Sequence, residues 1–361
     1  VVIISLSAML GSGLFVLPSL AMLEMGGGTQ PVGGVWLAYL LAAVIVLPGA
    51  ISKSELATAM PASGGSYIYV QRTFGPMFGT ISGLGLWANF MLKSAFALIG
   101  FKAYLWVIED LIGVKINIEI AALVLLALIV GINILGVKRI KKVQTPIVLI
   151  SVGYLLLLCV YALATQELNW DNVISREAFG SDWESVGKTA AFVFVSYAGV
   201  TKIAAVAGEI KDPGKNIPNG ILLSLLFSTL LYVTVAFVMA ATLDLSLIMD
   251  ENHVGHARED PVFLFADEIG GRGIGIIAAL LSVLTMTSMA LAGIMASSRF
   301  PYAMAKDNLI PSIFEEVHKE YQTPYWAIIG TGLSMAAAIT FLPVHDVAEL
   351  ASGFKIMIFI V

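Results

Sequence analysis

Long apolar runs separated by short polar connections set the pattern of this chain. The runs lie near residues 1–23, 33–56, 77–106, 117–137, 143–165, 187–209, 219–242, 273–297 and 325–343, and another begins near 347. A helix needs about 20 mostly apolar residues to cross the hydrocarbon layer of a bilayer. Backbone groups in lipid are satisfied only by helices or closed barrels, and these runs lack the two-residue alternation of barrel strands. The pattern predicts an all-α membrane bundle of about ten spanning helices, the tenth truncated. The runs are too many and too long for a signal peptide ahead of a soluble domain. Three connections carry too much apolar content to be plain loops. The spacing predicts a short interfacial helix over 62–76, a helix against one face over 259–270 and an amphipathic element over 300–316.

Composition agrees with this reading. Of 361 residues, 58% are hydrophobic and 12% charged, with a mean hydropathy of +0.90, whereas soluble domains carry about 25% charged residues. A chain of this length cannot hide so much apolar surface in its own interior, so lipid bilayer takes the place of water as its partner. The net charge of −5 comes with no strongly basic face, and no nucleic acid partner is expected. Cys159 is the only cysteine, so no disulfide or CxxC metal site can form within the chain. No P-loop, nucleophile elbow or HExxH is present, and the four histidines lack metal spacing, so neither an enzyme nor a bound metal or cofactor is expected. The chain opens on Val1 inside an apolar run and closes in another, which reads as one transmembrane domain over 1–361 cut from a longer protein.

Loop charge sets the expected orientation. Lys138, Arg139, Lys141 and Lys142 form the densest basic cluster and are assigned to the cytoplasm. Alternation then puts Arg72, Lys211, Lys215, Arg299, Lys306 and Lys319 on the same side. The acidic stretch 166–186, with Glu167, Asp171, Glu177, Asp182 and Glu184, falls opposite, as does 243–272.

Two runs are interrupted at corresponding places. The first reads SLSAMLGSGLFVLP, with Gly11, Ser12 and Gly13 at its middle; the sixth reads FVFVSYAGVTKIAAVAGEI, with Ser196, Tyr197, Ala198, Gly199 and Val200 at its middle. Glycine costs about 1 kcal/mol in a helix interior relative to alanine, so such spots unwind readily. Breaks in the first and sixth of ten spans suggest two five-helix halves of opposite topology, about 1–165 and 187–361, with a binding site near the bilayer midplane. Unwinding at Gly11–Gly13 frees amides at the positive end of a half-helix, which suits a carboxylate. Unwinding over 196–200 frees carbonyls, which suit an ammonium. The competing reading is close helix packing through small residues.

Charged and hydroxylated side chains inside the spans are further candidates. Lys93 lies mid-way along the third run and Lys202 follows the sixth-run break. Either is a candidate proton-coupling group or a stand-in for a bound cation, against structural pairing for Lys93 and snorkelling towards water for Lys202. Glu55 and Glu209 are read as interfacial. Thr285, Thr287 and Ser288 cluster in the eighth run, and the hydroxyls of Thr285 and Ser288, with carbonyls at Ser7 and Leu10, would suit a sodium ion. The alternative for the hydroxyls is back-bonding to the preceding turn.

Four motifs in order, GSGLFVLP, SELATAMPASGGSYIYVQRTFGP, VFVSYAGVTKIAAVAGEIKDPGKNIP and RFPYAMAKDNLIP followed by TPYWAI, resemble those of the amino acid–polyamine–organocation permeases, and most of all prokaryotic relatives of cationic amino acid transporters. The resemblance covers nearly the whole chain. It implies a leucine-transporter-type 5+5 inverted-repeat bundle, usually of twelve helices, of which this chain would lack the last two and part of the tenth. It further implies secondary active transport of an amino acid across the plasma membrane by alternating access, with Gly11, Ser12 and Gly13 facing the substrate carboxylate and Tyr197, Ala198 and Gly199 its amino group. Some proton-coupled relatives carry a lysine in the fifth helix, where this chain has no basic residue over 143–165. Sodium coupling, proton coupling through Lys93 and uncoupled exchange stay open. The two buried lysines argue against cationic substrates by repulsion. A polyamine or organic cation permease would not need the carboxylate clamp, and a nutrient receptor of the same fold would bind without flux.

Overall fold

The computed structural model describes residues 2–180, 182–200, 202–249, 256–342 and 350. The described residues form helices, and their only β pairing is two isolated bridges, Ser63 with Val206 and Met249 with Ala257. The start of the expected tenth span, with His345, lies outside the described residues, as does His253.

Among the described residues, five helices are long and apolar enough to cross a bilayer: α4 (Val35–Ala59), α6 (Pro76–Gly100), α9 (Val137–Thr165), α12 (Pro213–Thr242), and α14 (Arg272–Ser297) with its continuation α15 (Arg299–Lys306). Two shorter apolar helices, α8 (Ile118–Ile134) and α16 (Tyr325–Phe341), have 17 residues each. Their lipid-facing sides carry exposed Leu128, Leu157, Val160, Leu226 and Leu333, as bilayer contact requires. The core between the helices is built of small residues. Alanines 38, 42, 50 and 57 of α4 are buried where α11 (Trp183–Val193) and α12 lie against it, and small side chains let helix backbones approach closely in lipid.

The first run is three pieces: α1 (Val2–Met9), α2 (Ser12–Phe15) and α3 (Leu17–Met25). The expected break at Gly11–Gly13 is present, with a second discontinuity at Val16 ahead of Pro18, whose ring cannot donate to the helix ladder. The sixth run departs further from a broken helix. Its first half, α11, is N-capped by Asp182, whose side chain accepts from the Ser185 amide at 3.0 Å. Beyond it the chain runs as 3₁₀ turns over Phe194–Gly199, Lys202–Ala205 and Ala207–Glu209, with no α-helical second half. The reason is tertiary. The Gly64 amide donates to Ala205 O at 3.0 Å, and Ser63 pairs with Val206 as an antiparallel bridge, so outside groups take bonds that an α-helix would use internally.

The third run also differs. It turns at Phe101 into a separate α7 (Lys102–Ile112), although hydropathy continues across the corner. The interfacial helix expected over 62–76 is α5 (Ser66–Phe74), and the one over 259–270 is α13 (Pro261–Gly270), packed against α14. The element expected over 300–316 is α15 followed by a 3₁₀ turn at Ser312–Glu315. Its first half is buried, because Arg299, Phe300, Pro301, Ala303 and Met304 continue α14 into the interior. Between runs five and six, α10 (Asp171–Ile174) and a 3₁₀ turn at Glu177–Phe179 give the loop partial order.

Candidate functional site

The two breaks lean on each other. A Cβ on Gly13 would meet Ser196 at 2.8 Å, and one on Gly199 would meet the carbonyl oxygen of Ala8 at 2.4 Å. Each break thus needs a glycine where it touches the other. Leu14 and Phe15 return to Gly11 O, while the Gly11 amide, between α1 and α2, has no backbone acceptor among the described residues. The fold brings Gly11, Ser12 and Gly13 together with residues 196–200, as expected from the paired interruptions; Ser196, Tyr197, Gly199 and Val200 are buried and Ala198 is half-buried.

The carbonyls freed at the first break are capped by tyrosines. Tyr232 of α12 donates to Met9 O at 2.7 Å and Tyr39 of α4 to Gly13 O at 2.9 Å. Tyr104 of α7 donates to Phe15 O. Tyr197 in turn donates to Tyr39 O at 3.1 Å, and its ring centroid is 5.3 Å from that of Tyr232. Sequence reasoning missed Tyr39, Tyr104 and Tyr232 because each reaches the break from a distant part of the chain. It missed Met289 of α14 for the same reason. The Met289 side chain covers Gly11, where a Cβ would fall 2.2 Å from its sulfur.

The ion candidates divide. Ser7 and Ser288 meet, Oγ to Oγ at 2.8 Å, and Ser7 also donates to Ser288 O at 3.1 Å. Thr285 back-bonds to Leu281 O at 2.6 Å and exchanges a hydrogen bond with Ser151 of α9 at 2.8 Å. Thr287 back-bonds to Val283 O. Leu10 closes α1, its amide on Leu6 O at 2.8 Å. Gln144 of α9, unassigned by the sequence analysis, donates to Ser288 O at 3.1 Å while its Oε1 is buried with no partner among the described residues.

Lys93 is buried mid-way along α6. Lys202 does not snorkel; it is 2% exposed, with its Nζ over the Phe90 ring at 5.6 Å. Glu209 holds Arg299 through Oε1, at 2.8 Å from both Nε and an Nη, and Glu55 is exposed. The Arg299–Glu209 pair borders a cavity of about 1030 Å³ on the side of the basic loops, also lined by Arg72, Lys138, Arg139 and Lys306.

The family model described as "Amino acid permease" matches residues 1–359. The chain belongs to the amino acid permease family. It is therefore an integral multi-pass membrane protein and a secondary transporter of amino acids. Relatives include the branched-chain amino acid permease BcaP of Bacillus subtilis, 27% identical over 97% of this chain and 75% of its own length. A methylthioribose transporter of the same organism is 25% identical over 97% of this chain and 75% of its own length. The vacuolar cationic amino acid transporter 2 of Arabidopsis thaliana is 25% identical, over 99% of this chain and 57% of its length. Among solved structures, a Na+-coupled sialic acid symporter in a substrate-bound outward-open state shares the fold. Its TM-score is 0.66 at 13% identity, covering 99% of this permease and 75% of that chain. The architecture is thus the leucine-transporter-type bundle.

Proposed function

We propose that this permease holds the α-amino and α-carboxyl groups of its substrate at the paired breaks. The Gly11, Ser12 and Gly13 amides take the carboxylate, and the 196–200 segment, with the tyrosine hydroxyls around it, takes the ammonium. The observation that supports this most is the Gly11 amide without a backbone acceptor, at the break where a glycine of each segment meets the other segment. The proposed location is the plasma membrane, with the basic loops in the cytoplasm.

For coupling, the reading is sodium. Ser7, Thr285 and Ser288 gather oxygens beside the first break, and Ser151 and the partnerless Gln144 Oε1 add two more. Unwound carbonyls and hydroxyls are the usual ligands for such an ion, and the carbonyl of Leu10 is the further ligand expected there. The competing route is a proton on Lys93.

Purified protein in proteoliposomes, given labelled amino acids under separate sodium and proton gradients, tests both parts. Saturable uptake driven by sodium, lost in Gly11→Leu and weakened in Gln144→Leu, is the expected result. Uptake that follows a proton gradient without sodium overturns the coupling. No binding or uptake of any amino acid overturns the clamp.

A further inference from the structure

Lys202 is a charged group in the wrong solvent. It lies in the 3₁₀ segment just past the sixth-run break, 2% exposed, and its Nζ has no hydrogen-bond partner among the described residues. The nearest features are aromatic and small. Its Nζ is 5.6 Å from the Phe90 centroid, and a Cβ on Gly293 would fall 3.6 Å from Nζ and against Ser94 Oγ. Two other buried charges among the described residues are paired: Arg299 has Glu209, and Asp260 has Arg258 at 2.8 Å. A buried charge without a counter-charge is costly, so an ammonium at this place calls for an anion from outside the chain.

Its position says which anion. Gly293 is four residues beyond Met289 on α14, just over one helical turn or about 6 Å of axis. Met289 covers Gly11 and Ser12, its sulfur 4.0 Å from Ser12 Oγ. Lys202 Nζ therefore lies about one turn of α14 beyond the first break, between α6 and α14, with a flexible thioether between them. A substrate whose α-carboxylate rests at the first break would have to send its side chain towards that turn to meet Lys202. Met289, unbranched and adaptable, can swing aside to admit it.

We propose that the substrate class of this permease is the acidic amino acids, with the side-chain carboxylate of aspartate or glutamate accepting a hydrogen bond from Lys202 Nζ. This rests on the amino acid clamp at the paired breaks and adds a second anchor to it. Lys202 is then the specificity-determining residue, and the uncharged amides asparagine and glutamine, of the same size, leave it unpaired.

The test compares each acid with its own amide. In wild-type protein, aspartate and glutamate are expected to displace a bound labelled amino acid about tenfold or more better than asparagine and glutamine, the fold-change of one charge-assisted hydrogen bond. This comparison needs no variant to fold. Lys202→Met, checked as monodisperse by size-exclusion chromatography, is expected to bring the acid-to-amide ratio down to about one. Amides that compete as well as acids in the wild type overturn the proposal. An equal loss for acid and amide in Lys202→Met also overturns it, since the lysine would then be structural. Binding of neutral amino acids with no acid preference defeats this inference alone. No amino acid binding of any kind defeats the clamp as well.

Discussion

At the scale of the residue, the junction of the two breaks depends on atoms that side chains would displace. Gly199 has the Ala8 carbonyl oxygen 2.4 Å from where its Cβ would stand. That neighbour is backbone and cannot rotate away, so Gly199→Ala forces α1 and the 3₁₀ segment apart. Overpacking of this kind costs about 1–3 kcal/mol, and the expected result is a lower melting temperature in detergent. Gly11→Ala meets the side chain of Met289 instead, which can adopt another rotamer. Its melting temperature is expected to fall less, and an equal fall would show that the Met289 wall is as rigid as backbone. Tyr232→Phe removes the donor to Met9 O. A buried carbonyl left without its donor costs about 1–3 kcal/mol, so Tyr232→Phe is expected to melt lower than wild type with its aromatic packing intact. The glycines of both breaks were legible in the sequence because they interrupt otherwise unbroken apolar runs. The tyrosines were not, because Tyr39 and Tyr232 read as ordinary core residues until folding carries them to the same junction.

At the scale of the element, the sixth run shows how much context decides. A sequence of small and β-branched residues with glycines at 199 and 208 permits a broken helix or successive 3₁₀ turns. Its bonds to Gly64 and Ser63 make it the latter. Those partners lie about 140 residues away in the chain, so no local periodicity could have revealed them. The end of this segment is anchored by Glu209, a third exposed, on fully buried Arg299. Glu209→Gln leaves the guanidinium without its counter-charge. Breaking a buried pair costs about 3–5 kcal/mol, and the exposure of Glu209 puts this case at or below the lower end. The expected outcome is faster proteolysis in the connection after residue 209, with transport less affected in Arg299→Lys than in Glu209→Gln. Equal proteolysis of wild type and Glu209→Gln would mean that the pair does not hold the segment.

At the scale of the whole molecule, the bundle and its helix boundaries follow from hydropathy, with errors where the chain bends inside apolar surroundings. The corner at Phe101 is invisible to composition because both sides of it are apolar, and the burial of α15 depends on where α14 delivers it. Orientation is open to direct measurement. Cys159 is the only cysteine and is buried, so single cysteines can be introduced into an otherwise unreactive background. A cysteine at Lys141 is expected to react with an impermeant maleimide only from the cytoplasmic face, and one at Glu184 only from the outside. Labelling of both from one side would overturn the positive-inside assignment.

The mutual contact of the two breaks has a mechanical consequence. Gly13 bears on Ser196 and Gly199 bears on Ala8, so the first and sixth segments cross at a shared pivot rather than at two separate hinges. A lever mounted on such a fulcrum cannot lift at both ends at once. Tilting one pair of arms to clear a path on one face presses the other pair together on the opposite face. The crossing thus predicts that no passage opens from side to side, and ion leak through the empty protein in proteoliposomes would contradict it.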